Sequence, residues 1–324
     1  MFKRRLKQSI RKLQLYAKYY SFLPARKKNT RYLIFMLNNT MRHGGLLDRI
    51  KGIITAKIIA DVIGYELKVL VDKKSFNLFK FLIPVNSSLE ATGNDISYNA
   101  FNSEPVLLYN LTKVTKKEIL HLLRKKKDQY HFYCNLDLLK QFYPNETQEA
   151  LNALWRNTFN QLFYFDSYFE NYAKEVFKGK QNICGIHLRF LSSLGDFTEV
   201  VNNELPENEK QALISQCTRQ ITAIIEAGLY EKYLVVSDSV IFLQTLNEIM
   251  QNSSYAEKVI ILGGAIAHID QDHSEDVLQK TILDFYLLSQ CSFVYQVLGN
   301  KMYRSQFCRY AAVLGNATYQ VDKI

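Results

Sequence analysis

The stretch NICGIHLRFLSSLGDF, residues 182–197, decides both the fold and the candidate site. Its first half is a short apolar run that predicts a buried strand, ending at His187 and Arg189 before a polar turn. Side chains two residues apart on a strand point to the same face, so this pair should project together from the carboxyl end. Ligands bind at that end in open α/β sheets, and a guanidinium there suits a phosphate. The alternative is a structural arginine paired with a carboxylate such as Asp196.

Strand and helix signals alternate on both sides of this stretch. In the first half, an apolar run at 31–37 leads through a loop into a helix that should stop at Gly64, because glycine is favoured just beyond a helix end. Alternating βα units build parallel sheets, so we expect an α/β fold with two Rossmann-like domains facing each other across a cleft. Further strands are predicted at 67–71, 105–109, 130–134, 233–236, 259–262 and 293–297, and further helices at 207–228 and 274–290.

The length of 324 residues also favours two domains. We place a basic arm at 1–30, an N-terminal domain at 31–175 and a C-terminal domain at 176–324. The aromatic-rich segment 147–178 is predicted to be one long helical stretch that bridges the two domains.

The N-terminal arm carries the basic charge of the whole chain. Twelve lysines and arginines precede Asp48, the first acidic residue, which leaves 29 of the 41 basic residues against 31 acidic ones. Residues 2–20 predict an amphipathic helix, a pattern typical of binding to a membrane surface, here through residues 1–28. A helix packed on the body and a nucleic-acid-binding arm are the alternatives; the near-neutral body makes nucleic acid the less favoured partner. The apolar stripe consists of Phe2, Leu6, Ile10, Leu13, Tyr16 and Tyr20.

Composition narrows the class of protein. The sequence has no apolar run long enough to cross a bilayer, and no apolar segment typical of a signal peptide follows its basic start. Its five scattered cysteines lack zinc-ligand or redox spacing, which favours buried reduced thiols. We therefore expect a cytoplasmic protein, peripheral on the inner face of a membrane.

Three other short patterns stand where ligands bind in such a fold. Gly44 and Gly45 precede a helix start, which would let a ligand approach backbone N–H groups, although no G-x-G-x-x-G or Walker lysine is present. Asp238 ends a predicted strand, where its carboxylate would either accept from a ribose or guanine or cap the next helix. The third pattern opens a late helix, where a hydroxyl and N–H groups make an anion site; its residues are Ser305, Gln306 and Phe307.

Taken together, these motifs resemble the fucosyltransferase superfamily, which includes peptide O-fucosyltransferases and the α1,6- and α1,2-fucosyltransferases. GGLLDRIKG at residues 44–52 is similar to its N-terminal motif, and His187-x-Arg189 is similar to its His-x-Arg element. The segment TILDFYLLSQCSFVYQV with SQFCRYAA resembles its third motif. Two departures, the Phe-Leu-Ser-Ser-Leu insertion after Arg189 and Cys308 in the third motif, leave another nucleotide sugar open as donor.

The resemblance implies a two-domain glycosyltransferase-B fold and a metal-independent, inverting transferase that uses GDP-fucose. It implies no cofactor and no metal site. The acceptor would be a glycan or lipid-linked sugar in polysaccharide or glycoconjugate synthesis, bound on the side of the N-terminal domain. Arg189 would hold the β-phosphate of the donor in the C-terminal domain. The other implied donor-site residues are Gly44, Gly45, His187, Asp238, Ser305, Gln306 and Phe307.

Two residues are candidates for the general base, and the sequence does not choose between them. Asp48 and His43 flank the first-loop glycines and are the candidates, although Asp48 would also pair readily with Arg49 or Arg42. A transferase for another nucleotide sugar, a non-catalytic nucleotide-sugar binder and a nucleic-acid binder remain the alternative functions.

Overall fold

The structure is a computed structural model of the chain. It describes residues 2–23, 30–38, 40–41, 43–73, 77–109, 114–197, 203–269, 271–272 and 274–324, with side chains from Leu6 onward. The chain divides into two compact units, residues 1–164 and 165–324.

The first unit contains a parallel four-stranded sheet in the order β2-β1-β5-β4. Strands β3 and β6 form a separate two-stranded sheet. The elements are α1 (Phe2–Tyr19), β1 (Tyr32–Leu37), α2 (Leu46–Ile63), β2 (Glu66–Val71), β3 (Leu82–Pro84), β4 (Ser103–Leu107), α3 (Lys116–Leu122), β5 (Gln129–Tyr133), α4 (Leu139–Phe142), α5 (Gln148–Leu162) and β6 (Phe163–Phe165), whose last residue lies in the second unit.

Helix α2 connects β1 to β2 and packs closely against the end of β5. It stops at Gly64, which adopts the left-handed conformation (φ 70°) and donates its N–H to the carbonyl oxygens of Ala60 and Asp61 in the last helical turn. A Cβ at Gly52 would collide with the carbonyl of Cys134, just beyond β5. Thr55 donates its hydroxyl to the carbonyl oxygen of Leu136 over 2.7 Å. The absence of a side chain at Gly52 therefore lets α2 lie against the carboxyl end of β5.

The second unit is built on a parallel five-stranded sheet in the order β11-β10-β7-β8-β9. Its elements are α6 (Ser167–Phe177), β7 (Ile183–Leu188), α7 (Glu207–Glu226), β8 (Lys232–Ser237), α8 (Val240–Gln251), β9 (Val259–Ile261), α9 (Glu275–Ser289), β10 (Phe293–Leu298), α10 (Phe307–Gly315) and β11 (Thr318–Lys323). The predicted α/β class with parallel sheets is confirmed.

The two sides of the second sheet are packed differently. One face buries the side chains of Ile186, Leu188 and Val235 together with apolar residues of α7 and α8. On the other side α9 and α10 cross so closely that a Cβ at Gly315 would collide with the carbonyl of Ser289. Small residues at this crossing allow the two helices to cover the sheet.

One prediction about the elements was wrong, and the last strand was missed. The segment 147–178 is not one helical stretch, because β6 separates α5 from α6; its aromatic residues favour strand, and the Asp166 carboxylate caps α6 by accepting from Tyr168 N at 2.8 Å. Strand β11 was not predicted, because its alternation of exposed and half-buried residues is that of an edge strand with few large apolar side chains.

All five cysteines are buried and unbonded, as the sequence analysis predicted. Burial raises the pKa of the Cys134 thiol in the first unit, and of the Cys184, Cys217 and Cys308 thiols in the second, to about 12.

Helix α1 is part of the first unit. Leu15 is buried in an apolar cluster with Ile34, Met36 and Leu107 of the sheet. The predicted basic linker that follows the helix lies mostly at residues 24–29, outside the described residues. Within the described part of the chain, no helix is both long and apolar enough to cross a bilayer.

Candidate functional site

The second sheet changes direction between β7 and β10. From β7 the chain proceeds to β8 on one side, whereas from β10 it proceeds to β11 on the other. Loops that leave two neighbouring parallel strands in opposite directions open a crevice at the carboxyl edge, the usual ligand position in open α/β sheets. His187 and Arg189 stand at the end of β7, so the topology places the predicted pair at this crevice.

His187 lies between the sheet and α10. Its ring stacks on Phe307, with centroids 5.7 Å apart, and Phe307 in turn contacts Phe285 of α9 edge-on. Burial, reinforced by the nearby Arg189 cation, lowers the pKa of His187 to about 3. The imidazole is therefore neutral near pH 7 and serves as a hydrogen-bonding group rather than as a cation.

A buried glutamine stands beside His187. Gln296 of β10 is in register with His187 and fully buried, and its side-chain oxygen accepts from the Tyr319 hydroxyl at 2.7 Å. Among the described residues, neither Gln296 Nε2 nor His187 Nδ1 has a hydrogen-bond partner. Because buried polar atoms are normally paired, these two atoms mark a place for a ligand or ordered water.

Arg189 is held by an ion pair and an aromatic ring. Its Nε lies 3.2 Å from Oδ2 of Asp238, and its guanidinium lies 4.7 Å above the centre of the Phe197 ring. The backbone carbonyl of Arg189 accepts from Tyr303 N at 2.9 Å, which ties the loop after β10 to the end of β7. A quarter of the side chain stays exposed, so the guanidinium is fixed and still open to solvent.

Asp238 shapes the loop after β7. It accepts from the backbone N–H groups of Phe190 and Leu191 at 2.7 and 2.8 Å, besides pairing with Arg189. Burial raises the pKa of this carboxyl, although the arginine and the N–H groups oppose that shift. Arg189 thus has a carboxylate partner in Asp238. The expected contact of Asp238 with guanine or ribose stays a prediction. Within the protein, this carboxylate has three partners, namely two backbone N–H groups and Arg189.

Asp196 instead caps α8. Its Oδ2 accepts from Ser239 Oγ and from Ile241 N, both at 2.8 Å. Ser239 Oγ also accepts from Phe242 N at 3.0 Å. The helix start that follows β8 is therefore satisfied by Ser239 and Asp196, and the capping role weighed for Asp238 belongs to them.

The third predicted pattern lies beside the first. Ser305 is buried, and its hydroxyl accepts from the N–H of Phe307 at 3.1 Å at the start of α10. Gln306 is exposed and accepts from Arg309 at 3.1 Å. Phe307 contacts His187, so the structure brings the His187–Arg189 pair together with the start of α10.

The predicted residues of the first unit form a second group, on the loop after β1. Gly44 adopts φ 80°, and a Cβ there would collide with the Asp48 carboxylate. Gly45 precedes the first turn of α2 with no side-chain cap. Asp48 is about two-fifths exposed and pairs with Lys51 at 2.7 Å. The carboxylate thus lies beside Gly44, and an anion would meet a negative charge there.

His43 is buried rather than presented to solvent. Its Nε2 lies 3.1 Å from the carbonyl oxygen of Asn38, and its ring packs near Phe35. Asp48 pairs with Lys51, and Arg49 donates to the carbonyl oxygen of Gly44 at 3.1 Å. Of the two candidate bases, Asp48 is the more accessible.

Two residues of the site were not found from the sequence. Phe197 was overlooked because its ring reaches Arg189 only after the turn at Gly195 has folded. Gln296 had a signal, as the one amide inside the apolar run FVYQVL, and a buried amide in a strand calls for a partner. Among the described residues, no group of three or more His, Cys, Asp or Glu side chains is arranged to hold a metal ion.

Comparison with sequence families gives a match over half of the chain. Residues 30–194, about half of the chain, match the family described as poxvirus serine/threonine protein kinase. The chain belongs to this family. The kinase activity in that description is not carried over, because the sequence lacks the glycine-rich G-x-G-x-x-G loop, the His-Arg-Asp element and the Asp-Phe-Gly element of protein kinases. A search among curated protein sequences gave no match.

Comparison with solved structures gives matches over nearly the whole chain. NodZ α-1,6-fucosyltransferase co-crystallised with GDP is 14% identical, covers 89% of this chain and 93% of its own, and superposes with a TM-score of 0.50. Fucosyltransferase NodZ from Bradyrhizobium matches with the same identity and TM-score; the match covers 89% of this chain and 94% of the NodZ chain. POFUT1 in complex with GDP is 10% identical; the match covers 91% of this chain and 99% of the POFUT1 chain, with a TM-score of 0.43. The likeness to NodZ confirms a fucosyltransferase-like fold.

Proposed function

We propose that this protein is an inverting, metal-independent glycosyltransferase that transfers fucose from GDP-fucose to a glycan or lipid-linked sugar. The observation that carries the proposal is Arg189, fixed between Asp238 and Phe197 at the switch point of the second sheet and partly open to solvent. The fold shared with NodZ supports it. Synthesis of surface polysaccharide or glycoconjugate at the inner face of a membrane belongs to the same proposal.

In the proposed reaction, an acceptor hydroxyl attacks C1 of the sugar from the face opposite the nucleotide. The bond from C1 to the phosphate oxygen breaks, and GDP leaves with the bonding electrons, so negative charge grows on the β-phosphate. Arg189 stabilises this charge with donors that are already in place, which lowers the barrier because no reorganisation is needed during the reaction. His187, neutral and stacked on Phe307, would hydrogen-bond the nucleotide.

The acceptor hydroxyl must lose its proton during the attack. We propose Asp48 as the general base, since its carboxylate is partly exposed beside the backbone of Gly44. His43 is the second candidate, and its burial and its contact with Asn38 O count against it. Asp48→Asn should then abolish transfer while GDP binding persists.

The preference of the protein for one nucleotide is tested by thermal unfolding in the presence of GDP, UDP, CMP or a DNA oligomer at matched concentrations. A ligand that binds only the folded protein stabilises it by about 2.7 kcal/mol at a hundred times its dissociation constant. We expect the clearest rise in melting temperature with GDP, followed by detection of a fucosylated product from GDP-fucose and candidate acceptors. Stabilisation by UDP alone would assign another donor, and GDP binding without transfer to any acceptor would indicate a non-catalytic binder.

A further inference from the structure

Helix α1 presents an apolar stripe on the side that does not pack against the first unit. Leu6, Ile10 and Leu13 are 49%, 47% and 68% exposed. Their spacing of four and three residues places them on one face of the helix. Three large apolar side chains lined up in water on an ordered helix form a surface that a partner would cover.

The opposite face of α1 is fastened to the unit. Lys12 forms an ion pair with the buried Glu104 at 2.5 Å, and Gln8 donates to the carbonyl oxygen of Tyr109 at 2.8 Å. Leu15, seven residues after Gln8, is buried in the unit's core. These residues lie at helical angles roughly opposite the exposed stripe, given 100° per residue, so the stripe must face away from the unit.

The end of the helix is fixed as well. Tyr20, just beyond α1, is buried, and its hydroxyl lies 2.6 Å from Nδ1 of the buried His131. The sequence analysis had placed Tyr20 on the same stripe as Leu6 and Ile10. The structure divides that stripe, with Tyr20 turned to the core and the residues from Leu6 to Leu13 turned to solvent.

Cations border the stripe. Lys7 and Lys18 are exposed on α1, whereas Arg11, also exposed, donates to the carbonyl oxygen of Thr40 at 3.2 Å. No acidic residue precedes Asp48 in the chain. On the inner side of α1, Lys12 neutralises the buried carboxylate of Glu104. The outer side of the helix therefore combines apolar side chains with positive charge.

We propose that this outer face of α1 docks on the surface of an anionic lipid bilayer. The helix would lie in the plane of the interface, with Leu6, Ile10 and Leu13 entering the headgroup–acyl boundary and the two exposed lysines contacting lipid phosphates. Amphipathic helices that join an apolar stripe to basic residues bind membranes in this way. Because the inner face of α1 is fastened to the sheet, docking would set the orientation of the first unit to the membrane.

A nucleic acid fits this face less well than a bilayer. The exposed apolar side chains contribute nothing to binding a phosphate backbone, whereas they add directly to partitioning into lipid. Docking also does not depend on the transferase reaction, because it uses no residue of the donor site.

The test measures cosedimentation of the full-length protein with vesicles, in the absence of any sugar nucleotide. Vesicles of phosphatidylcholine with phosphatidylserine are compared with phosphatidylcholine alone, at low and high salt. We expect binding to the anionic vesicles that weakens as salt is raised. Substituting Leu6, Ile10 and Leu13 together with glutamine should weaken it roughly 100-fold, because each partly inserted leucine-sized side chain contributes up to a factor of about ten.

The matched control replaces three exposed apolar residues elsewhere, Leu122→Gln, Leu229→Gln and Ile249→Gln, which are 39%, 63% and 44% exposed. This variant should bind vesicles like the unmodified protein. Whole-arm deletion is a poor test, since removing Lys12 and Tyr20 would take from the buried Glu104 and His131 their short contacts at 2.5 and 2.6 Å.

Three outcomes would overturn the proposal. The first is equal vesicle binding by both triple variants, and the second is equal binding to neutral and anionic vesicles. The third is that the α1 variant loses self-association in sedimentation, or loses binding to a DNA oligomer, while vesicle binding is unchanged. A lack of transferase activity leaves the proposal standing, because vesicle binding is measured without a donor.

Discussion

At the scale of single residues, Arg189 makes the sharpest prediction. Replacing it with alanine should lower kcat by about 10²–10³, the usual cost of a lost charge-stabilising donor, and should weaken GDP binding far less. Arg189→Lys should recover little, because a single ammonium cannot reproduce the fork of donors. The measurement compares transfer rates with GDP affinity from titration in the three proteins.

Asp196→Ala provides the control for damage to the fold. Asp196 caps α8, so its loss should cost about 0.5–2 kcal/mol of unfolding free energy and spare turnover. If Arg189 only anchors the loop through Asp238, the pattern would differ. Asp238→Asn and Arg189→Ala would then lower the melting temperature alike, and the folded fraction of each would turn over at a near-normal rate.

Only some of the residues of the candidate site could be predicted from the sequence. His187, Arg189, Ser305 and Phe307 stand in short motifs at element ends, where local chemistry predicts their position. The pairing of Arg189 with Asp238 joins residues 49 positions apart and depends on β7 lying beside β8 in a particular register. No local pattern contains that register.

At the scale of elements, the crossing of α9 and α10 depends on Gly315. A Cβ at this position would collide with the carbonyl of Ser289, which is backbone and cannot swing away. Gly315→Ala should therefore lower the unfolding free energy by about 1–3 kcal/mol, the range for overpacked sites, despite the better helix propensity of alanine.

The matched control is Gly263→Ala in the loop after β9, where a Cβ would meet no atom within 4 Å. It should be neutral or slightly stabilising, since alanine restricts the unfolded chain. Both variants are compared by urea unfolding. Equal stability of the two proteins would mean that the helices can separate at Ser289 without cost.

Elements were predicted well where their ends carry local signals. Helix α2 stops at Gly64 because a left-handed residue follows its last turn, a preference that glycine shows in any context. The short strand β6 between α5 and α6 was missed, because helical periodicity continues across Phe163, whereas pairing with β3 adds to the strand preference of its aromatic residues.

At the scale of the whole molecule, metal-independence stays a prediction. Transfer should survive EDTA, because Arg189 and the N-terminus of α10 would stabilise the leaving diphosphate in place of a cation. Activity is measured after dialysis against chelator, with and without added manganese or magnesium. Loss of activity on chelation and its return with metal would contradict the proposed mechanism.

Alternation of strands and helices was enough to predict parallel sheets in two parts of the chain. The order of strands was beyond reach, because each βα unit can add to either side of the growing sheet. The reversal between β7 and β10, which creates the crevice beside His187, follows from which side the later units occupy.

Because each unit contains at least one buried cysteine, the reactivity of these thiols can report on local unfolding of either unit. Cys134 is the only cysteine in the sequence before residue 165, and the other four belong to the second unit. A thiol reagent can react only after the surrounding structure opens, and the raised pKa values keep the sulfurs protonated until then. The rate of modification at Cys134, set against the rates at Cys184 and Cys217, would separate the opening of one unit from that of the other without any introduced label.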